Sequence, residues 1–471
     1  MEIEVFKKLI KENNRQHAVF VKNVRKAKLY YKNENDILRR RRPVDESQTD
    51  PNKNPLRNAD NRVSHNWHQL LLNQKAAYAM TVPPAFDVDE TELNKKIVNI
   101  LGDLYPKVAK DLCVNAGNAG IAWLHVWIDE NNLFQYGVVE TEQCIPIYAK
   151  TLDKKLVGML RIYEDMNGQG EKMIVYEYWN DRECVATRRK KNSPLDDLEY
   201  YPMFSLVDEG TGEQEGTETF THDWGAVPFI PFRNNGIESS DLNNVKSLID
   251  VYDKVYSGFV NDLDDIQEIV FVVTNYGGTD KTSFLQDLSR YKMVEVTNDG
   301  EGDKSGVDTL AIEIPVEARD KVLEITKKQI FISGQGVDPD KDKLGNSSGV
   351  ALKFLYSLLE LKTGLMETEF RLGFAELVRF ILRYLRKDDL VQIKQTWTRS
   401  SISNDLEQAQ IVSTVAPFTS KENIAKSNPI VEDWQDEIRL QKQEQQEDER
   451  MEGDFKPGKD VTDHGGEEGQ A

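Results

Sequence analysis

The chain has 471 residues, 39% hydrophobic and 30% charged, with a formal net charge of −20. That length exceeds what one core usually serves and predicts two to four domains with a polar surface. No run of eighteen apolar residues offers a membrane span, and the acidity argues against a surface that grips nucleic acid overall.

Met1 to Lys32 reads as one or two helices, because Phe6, Leu9 and Ile10 recur at helical spacing. Glu2 and Glu4 do not suit a signal peptide. Residues 1–42 carry 13 Lys and Arg against 5 Asp and Glu, and end in Arg39 to Arg42. That basic run reads either as a solvated linker or as a contact for nucleic acid or a partner. Asp45 to Asp60, with Pro51 and Pro55, is a linker. Asn61 to Met80 is a helix stopped by Pro83 and Pro84, and Glu90 to Asn115 is helical again.

From Gly120 to Phe204 the period changes to two. "IAWLHVWI", "FQYGVVE", "CIPIYA", "KLVGMLRIYE", "KMIVYEYW" and "ECVATRR" are β segments, predicting one antiparallel sheet on a helical layer. Asp208 to Thr219 is a surface hairpin or loop. Ser239 or Ser240 then caps a helix whose apolar face runs from Leu242 to Phe259, with Asp241 at its positive end. Phe271 to Ile314 is a βαββ insert, with strands "FVVTNY", "KMVEVT" and "VDTLAIEI" and a helix near "SFLQDLSRY". Pro315 opens a helix from Val316 to Ser333.

A loop rich in Gly, Asp and Lys follows, then an apolar helical pattern that persists to Arg386. About 40 helical residues would span ~60 Å, with bends expected at Gly364 and Gly373. After "LVQIKQTWTR" come small helices and a Gln/Glu-rich run in Ser403 to Gln446, and Glu447 to Ala471 is expected to be disordered. Residues 432–471 hold 14 acids against 5 bases.

Enzyme signatures are missing. "YGGTDKTS" (Tyr276 to Ser283) lacks P-loop spacing, and no GxSxG or Cys–His nucleophile pattern occurs. His65 and His68 lie one turn apart without a third ligand and read as satisfied or surface histidines. Asp262, Asp264 and Asp265 invite a metal-dependent phosphoryl-transfer or nuclease reading, against which stands a solvated helix surface. Cys113, Cys144 and Cys184 lack metal spacing and fit buried thiols in a reducing compartment. No catalytic residue, metal or cofactor is expected.

The order of segments is more specific than any one motif. "NRVSHNWHQLLLNQKAAYAM", "AGNAGIAWLHVWIDENNLFQYGVVETEQCIPIY", "VPFIPFRNNGIESSDLNNVKSLIDVYDKVYSGFVNDLDD" and "NSSGVALKFLYSLLELK" follow one another between Asn61 and Arg399. Together they resemble the portal, or head-to-tail connector, proteins of tailed double-stranded DNA bacteriophages, of the siphophage type. "TVPPAF" departs from the family by lacking the glycine before its proline.

The resemblance implies an α+β portal fold. Residues 1–235 and 388–400 would form an α/β wing; 236–268 and 315–334 two long stem helices; 269–314 a βαββ clip. Residues 335–346 would be a tunnel loop, 347–387 a tunnel helix, 401–446 a helical crown and 447–471 an acidic tail. It also implies a ring, dodecameric in the virion, at one capsid vertex. Double-stranded DNA would pass through that ring, and terminase, head-completion or tail adaptors, and capsid and scaffolding proteins would be partners. Synthesis would be in the host cytoplasm, with no membrane. A generic capsid scaffold is the other non-enzymatic reading. The stem helices carry apolar faces too long for one partner helix, which fits a closing ring.

On this reading Gly336, Asp338, Asp340, Lys341, Lys343 and Asn346 face the DNA channel, and Gly334, Gly336 and Gly345 make the loop mobile. The alternation of Asp and Lys would touch phosphates weakly while overall acidity lets DNA slide. Tyr276, Lys281 and Arg290 of the clip would meet the adaptor, with Phe284 and Tyr291 in its core.

Overall fold

A computed structural model of the chain describes residues 2–39, 59–207, 214–266, 270–274, 306–310, 315–338, 349–400, 412–428, 431 and 434–454. These are helices and antiparallel strands mixed along the chain, divided between two compact units, 1–340 with 356–400, and 341–355 with 401–471.

In the first unit, helix α1 (Ile3–Tyr31) is a single helix, followed by a short α2 (Asp36–Arg39). Helix α3 starts at Trp67 and runs to Met80, six residues later than the sequence suggests. Residues 61–65 are drawn out along a later helix instead. The Asn61 amide donates to Asn261 Oδ1 (2.6 Å), the Val63 amide to Ser257 Oγ (3.0 Å) and the His65 amide to Asp253 Oδ1 (3.1 Å). Strand β1 (Ala85–Asp87) leads to α4 (Thr91–Leu101) and α5 (Tyr105–Ala119). The single helix expected over 90–115 is thus two, broken where Gly102 takes φ 58° and Pro106 opens the next first turn.

The six β segments lie where the alternation places them: β2 (Ile121–Ile128), β3 (Phe134–Val139), β4 (Cys144–Tyr148), β5 (Leu156–Met166), β6 (Lys172–Trp179) and β7 (Glu183–Lys190). They do not make one sheet. A 3₁₀ turn at Thr141–Gln143, tied back by Thr141 Oγ1 to the Ile121 carbonyl (3.3 Å), redirects the chain after β3. Strands β4 to β7 form a second antiparallel sheet, with β8 (Glu199–Tyr200) and β11 (Thr219–Thr221) added on β7, while β9 (Phe204–Val207) and β10 (Gln214–Thr217) form a separate hairpin. Strand β12 (Phe229–Arg233) joins the first sheet beside β2, with Pro231 opposite Trp123. Its proline is tolerated because β12 is an edge.

Helix α6 (Lys246–Ile266) packs antiparallel in sequence order to α7 (Val316–Gly334), and between them β13 (Val270–Thr274) pairs with β14 (Gly306–Leu310). The expected helix and middle strand of this insert fall outside the described residues. Helix α8 (Gly349–Tyr384) runs 36 residues. At Gly373 a Cβ would lie 2.8 Å from the Phe232 ring, so the glycine admits close contact with β12. Phe370 and Phe374 meet Phe232 at 5.1 and 4.9 Å, in a core that includes Ala109, Leu112 and Ala116 of α5 and Leu377 and Ile381 of α8. Strand β15 (Lys394–Thr396) returns to pair with β1.

The second unit contains α9 (Lys421–Ser427), capped by Ser420 Oγ accepting from the Asn423 amide (3.3 Å), and α10 (Trp434–Asp454). Disorder from Glu447 is therefore corrected as far as Asp454. Low apolar content rules out a core, but Glu, Arg and Met sustain a helix. Residues 455–471 lie outside the described residues.

Candidate functional site

Helices α3, α5, α7 and α8 meet the 234–241 turn at a buried cluster of charges. Asp241 Oδ2 lies 3.1 Å from Lys75 Nζ of α3 and 3.1 Å from Lys362 Nζ of α8. Its Oδ1 accepts from Asn234 Nδ2 (2.9 Å), and Lys75 also donates to Asn234 Oδ1. Lys362 Nζ donates to the carbonyl of Gly334 (3.0 Å), one of the orphan acceptors at the end of α7. Lys75 is 1% exposed, Asp241 8% and Lys362 9%. Burial opposes ionisation of Asp241, but the ammonium groups of Lys362 and Lys75 outweigh it and hold the carboxyl well below the usual range. Burial pulls Lys362 below an ordinary lysine, with Asp241 opposing. Two cations share one carboxylate away from water, which suits a structural lock rather than proton transfer. The lock fixes the end of α7 to α8.

This point is also where the expected tunnel loop begins. Gln335 is left-handed (φ 53°), and the Gly336 amide donates to Phe331 O (2.9 Å). Gln74 holds Val337 through both backbone groups, accepting at 2.9 Å and donating at 2.6 Å. A Cβ on Gly334 would come within 2.5 Å of Leu71 Cδ1, and one on Gly336 within 2.3 Å of Leu71 Cδ2. Leu71 packs on both, which gives Gly334 and Gly336 a reason to be small besides the mobility expected of them. Asp338 closes the described stretch; Asp340, Lys341, Lys343, Gly345 and Asn346 lie outside it, as do Tyr276, Lys281, Phe284, Arg290 and Tyr291. Arg39 pairs with Glu34 at 2.9 Å, and Arg40 to Arg42 are outside.

The acidic residues of α6 are engaged. Asp262 pairs with Arg319 of α7, and Asp264 accepts from Asn61 Nδ2. Both stay on the solvent side, Asp264 exposed and Asp262 half-buried, as the solvated reading expects, and their partners add a brace between α6, α7 and the 61–65 segment. The side chain of Asp265 is not described. His65 Nδ1 contacts Asp253 Oδ1 at 2.8 Å, and His68 Nε2 donates to Asn118 Oδ1 at 2.9 Å, so the two histidines serve different contacts. Among the described residues no group of His, Cys, Asp and Glu could hold a metal, and no helix is long and apolar enough to cross a membrane. The three cysteines are free and buried, and burial pushes the Cys113 thiol up to about 11.

Two helical faces are left uncovered by the described residues. On α8, Leu361, Leu365 and Leu372 are 61%, 60% and 66% exposed, in line with Leu358. On α7, Val322, Ile325 and Ile332 are exposed in the same way.

One buried and one half-buried histidine give a pH prediction. Burial lowers His68 and His125 to about 4, and His125 also donates Nδ1–H to Pro228 O at 2.7 Å. Between pH 6.5 and 4 the unfolded chain binds these protons and the fold does not, so stability falls as pH falls, by at most about 3 kcal/mol per histidine. Melting temperature should drop between pH 7 and 4.5, and His125→Phe should flatten the drop. A melting temperature unchanged across that range contradicts the assignment.

A family model described as "Phage portal protein, SPP1 Gp6-like" matches residues 10–451. The chain is 42% identical over 454 residues to the portal protein of Clostridium phage phiCD119, covering 93% of this chain and 95% of that one. It is 30% identical over 490 residues to the portal protein of Bacillus phage SPP1, covering 98% and 90%. A solved chain from the neck of a native GTA particle, computed with C12 symmetry, aligns at 13% identity with a TM-score of 0.40, covering 77% of this chain and 89% of that chain.

Proposed function

Since the chain belongs to the SPP1 Gp6-like family of phage portal proteins, a head–tail connector component of the virion, we propose that it forms the ring through which double-stranded DNA enters and leaves the capsid. The observation that carries this reading is the family match along nearly the whole chain, 10–451. In this reading 1–235 with 388–400 is the wing, α6 and α7 the stem, 269–314 the clip, 347–387 the tunnel helix and 401–446 the crown. The ring docks terminase during packaging and then head-completion or tail adaptors, with Tyr276, Lys281 and Arg290 as contacts. It sits among capsid and scaffolding proteins at one vertex. The ring itself performs no catalysis; the engaged state of Asp262 and Asp264 favours bracing over phosphoryl transfer.

The tunnel loop narrows to the residues after Asp338, because Gln74 and Leu71 hold the chain up to Val337. Changing Lys341 and Lys343 together to Glu should leave rings intact and reduce the fraction of DNA-filled heads, because each subunit would turn two positive charges negative beside the duplex. Filled heads at the wild-type fraction would remove these residues from the channel.

A further inference from the structure

We infer that the leucine stripe of α8 in one copy packs along the apolar stripe of α7 in the next copy, and that this contact closes the ring. The inference rests on the ring reading of the proposed function. On α8 the stripe is Leu358, Leu361, Leu365, Thr368 and Leu372; on α7 it is Ala318, Val322, Ile325, Gln329 and Ile332. Both repeat at alternating steps of three and four residues, the pattern of a seam that seats against another helix. Both cover the same number of residues, about 21 Å of helix.

Among the described residues nothing covers either stripe. The opposite side of α8 is already in the core through Met366, Phe370 and Leu377, and that of α7 through Thr326, Ile330 and Phe331. Exposed leucines at this density are a solubility liability unless a partner covers them. The partner is a second copy because a cyclic ring needs two different faces on every subunit. A stripe paired with its own kind would give an isologous dimer and stop. Unequal faces of equal length on one chain fit head-to-tail closure.

Two variants test the pairing. Leu361→Asp with Leu365→Asp removes the α8 face only. Val322→Asp with Ile325→Asp removes the α7 face only. All four positions are exposed, and circular dichroism checks that each variant folds. Each variant alone should lose the ring and run as a monomer by light scattering. Mixed in equal amounts they should form a one-to-one dimer, because one intact α7 face then meets one intact α8 face and the chain cannot extend. Wild-type rings from either variant alone, a monomeric mixture, or a symmetric dimer of one variant would overturn the pairing while the ring stands. Wild-type protein that forms no ring under the same conditions would instead remove the ring reading, and the pairing with it.

Discussion

Asp241→Ala is expected to destabilise the first unit by about 3–5 kcal/mol, because it leaves two buried ammonium groups without their shared carboxylate. Lys75 would keep Asn234 and Lys362 would keep the Gly334 carbonyl, but neither acceptor carries charge. The expected readout is a denaturant midpoint far below wild type. Replacing Lys75, Asp241 and Lys362 together by Met, Leu and Met should recover most of the loss, since a buried ion cluster replaced by packed apolar side chains is often near neutral. If Asp241→Ala alone unfolds at the wild-type midpoint, water reaches the cluster and the lock does not exist.

Gly120→Ala is expected to cost about 3 kcal/mol or more, from backbone strain and overlap together. Gly120 has φ 90°, and a Cβ there would stand 1.9 Å from the carbonyl oxygen of Glu238. That oxygen belongs to backbone, so it cannot swing away as a side chain would. Glu238 is itself left-handed at φ 54°, and the Asn234 amide donates to Gly120 O at 2.9 Å. The overlap would therefore displace the 234–241 turn that presents Asp241. Soluble yield and denaturant midpoint should both fall; a midpoint equal to wild type would show that the turn has slack.

The strands and the two long helices were legible because their signal is local. Alternation over "IAWLHVWI" or "KMIVYEYW" places β2 and β6 without knowledge of partners, and Pro315 marks the start of α7. The charge lock was not legible, because its members come from positions 75, 234, 241 and 362, and nothing in sequence spacing brings them together. Asp241 read as a helix-terminus anion, a sound local role that the pull of two lysines overrides. One signal was present: a single lysine inside the apolar run "LLLNQKAAYAM", which has no polar face to put it on. The room made by the glycines was hidden for a different reason. Gly336 and Gly373 look the same in sequence whether they bend, move or make room, and only Leu71 and Phe232 reveal that they make room. Likewise the start of α3 was misplaced because Asn61 and His65 are claimed by side chains of α6, a tertiary contact that outweighs helix propensity.

Electron microscopy of the purified full chain tests the central claim most directly. The account predicts closed rings with an axial hole, built from identical copies. A uniform population of monomers, or compact closed particles without a hole, would contradict it.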